Sequence, residues 1–254
     1  MHHRQQRSQV RIISFSGIDG AGKSTQIECL RRGMEEIVLR VELVTFWEDV
    51  ARLKGVREAT GHTVFKGDKG VGSPSAPINR RDKNVQSFPM TVVRLALYLV
   101  DAISTRFAVK RALLSKADVV IFDRYIYDEL ANLKLSNSFI RAYARLILTL
   151  VPRPDISFVL DADPQQARAR KPEYPVDFLV INRQAYLDLS KVVEAMVVVP
   201  ALPIGEVKSI VLRNGLELFR SEDDVEPSRN GAAIRNDNRK IVELDRACTP
   251  SAPL

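Results

Sequence analysis

The sequence predicts an α/β fold with a parallel sheet covered on both faces, and three observations carry that expectation. Short β-branched and aromatic runs, VRIISF, ADVVIFDRY and DISFVLDADP, alternate with longer stretches whose apolar residues recur at helical spacing. Those strand runs read as buried, the habit of strands that lie under helices. A glycine-rich turn joins the first strand directly to a helix, which places a ligand site at the carboxyl edge of the sheet.

The elements follow in order. Residues 10–15 form the first strand, and a helix runs from about Lys23 to Leu39. LRVELVTF at 39–46 alternates as a second strand, and Trp47 follows it at the strand edge. The stretch 61–84 is rich in Gly, Ser, Pro and charge and reads as a loop or insertion. Apolar spacing over 88–116 predicts one long helix or two broken ones, and 117–125 is a strand that ends in polar residues. A helix over 136–151, a strand over 155–164 and a proline-interrupted helical stretch over 165–196 come next. VVVPA at 197–201 and GEVKSIVLRNGLELF at 205–219 supply a last strand and helix. The chain thus divides into a basic N-terminal arm at 1–9, a domain at 10–220 and a polar tail at 221–254 that reads as disordered.

Composition narrows the function classes. Hydrophobic residues make up 45% and charged residues 27% of the 254 positions, the balance of a soluble globular protein. The net charge of +7 suits a polyanion, but the basic residues are scattered and lack interleaved aromatics, which argues against a nucleic-acid partner. Two distant cysteines, Cys29 and Cys248, and three histidines at 2, 3 and 62 offer no metal-ligand spacing and no disulfide framework. No apolar run reaches the roughly 18 residues a membrane span needs, so the expected location is the cytoplasm, without a membrane partner.

Gly17-Ile18-Asp19-Gly20-Ala21-Gly22-Lys23-Ser24 fits G-x-x-x-x-G-K-[ST] at every position. Backbone N–H groups must wrap a polyphosphate, and side chains at the glycine positions would obstruct that approach. The helix that begins at Lys23 adds unpaired amides and the positive end of its dipole. Lys23 then supplies a charge for the β- and γ-phosphates, and the Ser24 hydroxyl, with Thr25 beside it, lies where Mg²⁺ would be ligated. The alternative is a glycine turn that only joins strand to helix, with Asp19 binding loop amides. No NKxD-type guanine reader is present, which argues against a GTPase.

Two further constellations accompany the loop. Asp123 and Arg124 end the buried strand VVIFD, where a carboxylate can orient Mg²⁺ and a guanidinium fork can hold a second anion. The alternative there is a strand-end ion pair. Arg168, Arg170 and Lys171 lie beside a proline break, in a segment at 165–180 that could close as a lid over transferring phosphate. A solvated basic helix face accounts for them equally well.

In this order the pieces resemble the thymidylate kinase family of P-loop nucleoside monophosphate kinases. FSGIDGAGKSTQ is similar to that family's phosphate loop, FDRY to its Asp-Arg-Tyr motif, and PRPDISFVLDADPQQARAR with DFLVINRQAYLDL to its strand, lid and following helix. The likeness covers about residues 10–200. It implies a P-loop NTPase three-layer sandwich around a five-stranded parallel sheet, Mg-ATP as donor and a monophosphate as acceptor. By position, Asp19 would lie near the acceptor's sugar hydroxyl, Arg124 would hold its phosphate, and Tyr98 would stack on its base or, on the apolar helix RLALYLV, simply pack in the core. Ala21 stands where some members carry an arginine, which leaves Arg168 or Arg170 as the catalytic arginine. That same apolar helix is compatible with the homodimer usual in the family.

The acceptor half departs from the pattern. TFWEDVARLKG replaces the Arg-Glu-Pro after the second strand, Ala102 stands where a base-reading arginine is expected, and IYDELAN after Asp-Arg-Tyr places Asn132 at a usual tyrosine. The resemblance therefore implies phosphoryl transfer from ATP to a small phosphorylated acceptor, with dTMP to dTDP as its first form. The alternatives are a related kinase with a different acceptor, an ATP-binding regulatory module without turnover, and a nucleic-acid-linked NTPase.

Overall fold

A computed structural model describes residues 10–50, 88–133 and 135–219; the N-terminal arm, the 61–84 insertion and the 221–254 tail lie outside the described residues. Five strands form one sheet: β1 Arg11–Ser16, β2 Val41–Thr45, β3 Val119–Asp123, β4 Ile156–Leu160 and β5 Met196–Val199. Every pairing is parallel and the order is β2-β3-β1-β4-β5. The three inner strands are buried almost throughout, as RIISFS, VVIFD and ISFVL require, while the edge strand β2 leaves Leu43 exposed.

Helices cover both faces. α1 (Lys23–Glu36) packs on one side together with the last helix, α7 (Ile204–Glu217). Their Ile27, Leu30, Met34, Val211 and Leu212 meet Ile13, Phe15, Ile121 and Phe158 of the sheet. On the other face lie α2 (Phe88–Leu113), α3 (Ile126–Leu130), α4 (Ser138–Leu150), α5 (Pro164–Arg170) and α6 (Val176–Ser190). Alternation within β1 produces the two layers: Ile13 and Phe15 belong to one core, Ile12 to the other. The rings of Phe15 and Phe158 stand 5.1 Å apart across β1 and β4 and close the first core.

The helix expected over 88–116 is continuous over its observed length, and the proline-interrupted stretch resolves into two helices, α5 and α6. α5 starts on an Asp163 cap, whose Oδ1 accepts from Gln166 N at 2.9 Å, with Pro164 in the first turn. Pro172 and Pro175 then prevent direct continuation into α6. A short π-type turn, Phe46–Val50, follows β2 and sets the half-buried Trp47 edge-on to Phe46 at 5.2 Å. The short α3 is the element that periodicity does not announce. Among the described residues no helix is long and apolar enough to cross a membrane.

Candidate active site

The site gathers where β1, β3 and β4 end. After Ser16 the chain turns through Gly17–Gly22 and enters α1. Gly20 has φ +82°, and a Cβ there would come within 2.2 Å of the carbonyl oxygen of Ala167 in α5. The loop therefore lies directly on the segment expected to act as a lid, and only glycine permits the approach. Gly17 similarly lies against the Leu160 backbone at the end of β4, and Ala21 N–H closes a turn onto Ile18 O at 3.2 Å. Gly22 caps α1 at φ +89° without a side-chain bond, and no acid stands in the helix's first turn. The leading amides and the exposed Ser24 and Thr25 thus face an environment in which no carboxylate of α1's first turn competes for them.

Lys23 turns inward. Its Nζ donates to the carbonyl oxygens of Gly17 and Ile18, each at 2.9 Å, so the ammonium sits within the curve of the loop. Burial, with the nearby Arg124 charge, lowers its pKa to about 8, although Asp19, Asp128 and Asp123 pull the other way. Asp123, half-buried at the mouth of β3, has its pKa raised by desolvation against the opposing influence of Lys23 and Arg124.

Arg124 is held in the left-handed region at φ +70°, where its N–H extends the β1 ladder by donating to Phe15 O at 2.9 Å. A non-glycine residue in that region costs about 1–2 kcal/mol, so other contacts must hold it there. They are at hand: Nη2 pairs with Asp19 of the loop, and Nη1 donates to Asp128 Oδ1 at 2.8 Å. Lys171, just after α5, comes within 3.9 Å of the same Asp19 and 3.3 Å of Glu173. Asp19 is accordingly the junction of the glycine loop, the Asp-Arg turn and the segment after α5.

The expected site residues fall into three groups. Gly17, Asp19, Gly20, Ala21, Gly22, Lys23, Ser24 and Thr25 form the loop, with Asp123 and Arg124 at the end of β3. Arg168 and Arg170 ride on α5, whose backbone touches the loop; Arg168 is half-buried, and Arg170 is exposed with Nε donating to Gln166 O at 3.2 Å. Tyr98 lies on α2, 5% exposed, as a member of the core that also holds Tyr125 and Tyr127. Asp161 and Arg183 tie the end of β4 to α6, paired at 2.6 and 2.7 Å.

Sequence reasoning did not find Asp128, Ser16 or Tyr186, which meet beneath Arg124. The one available signal was an acid four residues after Arg124, the spacing of an ion pair on a helix. Nothing in QAYLDLS marks Tyr186 as more than a packing residue.

Comparison with known proteins gives a consistent picture. A thymidylate kinase of Bifidobacterium longum is 29% identical over 190 residues, spanning 70% of this chain and 83% of its own. A probable thymidylate kinase of Methanosphaera stadtmanae is 25% identical over 206 residues, 80% of this chain and 95% of its own. One from Prochlorococcus marinus is 27% identical over 165 residues, 63% and 71% of the two chains. No family model matches the chain.

Proposed function

We propose that the chain, which is 25–29% identical to thymidylate kinases over most of its length, transfers the γ-phosphoryl group of ATP to a nucleoside monophosphate, with dTMP giving dTDP as the first candidate. The observation that carries the reading is the meeting of two cations at one sheet edge. Lys23 stands within the phosphate loop, Arg124 lies across from it, and Asp19 touches the second while belonging to the first. A donor triphosphate on the loop and an acceptor phosphate on Arg124 would then be held in contact, which is most of what phosphoryl transfer asks of a protein.

In this reading the amides of Gly20–Ser24 and Lys23 bind the β- and γ-phosphates. An acceptor phosphate oxygen, oriented by Arg124, attacks the γ-phosphorus; the bond to the β-phosphate oxygen breaks, and ADP leaves with its electron pair. Arg168 or Arg170 on α5 adds positive charge over the equatorial oxygens, and the packing of α5 on Gly20 keeps water out. Asp19 lies near the acceptor's sugar hydroxyl.

Mg²⁺ accompanies ATP in this proposal, with Ser24 and Asp123 as the residues that would hold it or its water shell. Among the described residues no group of three His, Cys, Asp or Glu could hold a metal unaided. Such a sparse donor set fits an ion that takes its remaining ligands from phosphate and water. When bound, Mg²⁺ neutralises charge on the β- and γ-oxygens.

A second reading, an ATP-binding module without turnover, draws on one observation: both ends of the Arg124 fork already carry a carboxylate. An ADP-coupled assay across the common nucleoside monophosphates separates the two. Acceptor-dependent ADP formation supports transfer; ATP binding with no acceptor that raises ADP formation supports the module. Homodimerisation belongs to the same proposal, since α2 exposes Leu99, Val100, Ile103 and Phe107; sedimentation that gives only monomer at working concentration would remove it.

A further inference from the structure

A buried carboxylate sits one helical turn after Arg124 and plays no part in the transfer described above. The Asp128 side chain is 2% exposed. Its Oδ1 accepts from Arg124 Nη1 at 2.8 Å and from the Tyr186 hydroxyl at 2.7 Å. Its Oδ2 accepts from the Ser16 hydroxyl at 2.7 Å and from Tyr125 N–H at 3.3 Å. Donors from the end of β1, the turn after β3 and the middle of α6 thus converge on one carboxylate.

Charge balance alone does not require this arrangement. One guanidinium neutralises one carboxylate, and Arg124 already has Asp19 on its other nitrogen. The two hydroxyls add direction: with Ser16 on one oxygen and Tyr186 on the other, the plane of the carboxylate is fixed, and so is the line along which Nη1 must approach. Asp19, half-buried on the loop beside Lys171, is the more accessible of the two partners. Asp128 is anchored from below and Asp19 is exchangeable from above, so an arriving phosphate can replace Asp19 while Asp128 keeps the fork in place.

We propose that Asp128, braced by Ser16 and Tyr186, is a positioning residue that fixes the Arg124 guanidinium so that its Nη2 edge faces the acceptor phosphate, with Asp19 as the partner that yields. The acceptor role of Arg124 rests on the function proposed above; the fixing of its side chain does not. Asp128→Asn is the main perturbation. Its remaining oxygen can still accept from Arg124 and Tyr186 and its nitrogen can donate to Ser16, but the charge is lost and the amide opposes Tyr125 N–H.

Two measurements test the proposal. The first is the guanidinium NMR spectrum of arginine-labelled protein, with Arg124 assigned by loss of its signals in Arg124→Lys. A fixed side chain gives separate Nη1 and Nη2 resonances, which are expected to coalesce in Asp128→Asn and to broaden in Tyr186→Phe. The second is steady-state kinetics: loss of a charge-assisted contact in Asp128→Asn is expected to raise the acceptor KM about tenfold and leave the ATP KM within about twofold. Tyr186→Phe, which keeps the carboxylate and the ring, shifts the acceptor KM in the same direction by about threefold, and it carries the test should Asp128→Asn fail to fold. Coalesced Arg124 resonances in the wild-type protein, or unchanged ones in both variants, would overturn the proposal, as would equal rises in both KM values. If the wild-type protein phosphorylates no monophosphate, the functional reading fails, and the NMR measurement still decides whether Asp128 fixes Arg124.

Discussion

Gly20→Ala and Gly22→Ala form a matched pair that isolates the contact between the glycine loop and α5. Both glycines have left-handed backbone, φ +82° and +89°, so each substitution carries a strain of about 1–2 kcal/mol. Their surroundings differ. A Cβ at Gly22 meets nothing within 4 Å, whereas one at Gly20 falls 2.2 Å from Ala167 O and 2.8 Å from its carbonyl carbon. That overlap is with backbone, so α5 must recede by about 1 Å, an adjustment of the kind that overpacking charges at about 1–3 kcal/mol. Gly20→Ala should therefore lose about 2–5 kcal/mol and Gly22→Ala about 1–2 kcal/mol. For a domain of this size those losses are about 4–20 °C and 2–8 °C in Tm. Thermal unfolding followed by circular dichroism reads the difference directly. Equal melting temperatures for the two variants, or a Gly20→Ala that melts with the wild type, would refute the claim that α5 rests on the loop.

Three other outcomes are expected. Lys23→Ala should leave the fold intact and lower kcat by at least about 100-fold, since one preorganised charge at a developing anion contributes on that order; unimpaired turnover would remove the phosphate-loop assignment. Arg124→Ala should raise the acceptor KM or lower kcat far more than it changes ATP binding, and an equal effect on both substrates would contradict its place on the acceptor side. The third concerns pH. The folded pKa of Lys23, about 8, lies below its ordinary 10.5. Between those values the unfolded chain holds the extra proton, so this group makes stability rise with pH; below about 8 its buried ammonium costs on the order of 3 kcal/mol. A polyphosphate beside Nζ favours the charged form, so nucleotide binding at pH 9 should take up a proton that binding at pH 7 does not. Calorimetry in buffers of different ionisation heat measures this, and buffer-independent enthalpies at pH 9 would contradict it.

How much of this was legible in the sequence depends on how local the determinants are. VVIFD and ISFVL declare buried parallel strands in five residues each, and the glycine loop needs eight consecutive positions, so the sheet's parallel character and the loop both follow from short stretches, whereas the strand order, set by pairings between distant segments, does not. The break between α5 and α6 is similarly written in Pro172 and Pro175. The support beneath Arg124 is not local: Ser16, Asp128 and Tyr186 are separated by 112 and 58 positions, and each type is unremarkable in its own neighbourhood. Tyr98 shows a different limit. An aromatic on an apolar helix satisfies both a stacking and a packing pattern, and its burial beside Tyr125 and Tyr127 reflects the packing requirement that every core position meets.

The most direct measurement follows the phosphorus itself. Wild-type protein is incubated with magnesium and ATP labelled at the γ-phosphate, with dTMP and each other common nucleoside monophosphate in turn, and the products are separated by chromatography. The account predicts label in the terminal position of a nucleoside diphosphate for at least one acceptor, formed in step with ADP. Label that stays in ATP or appears only as inorganic phosphate with every acceptor would contradict it.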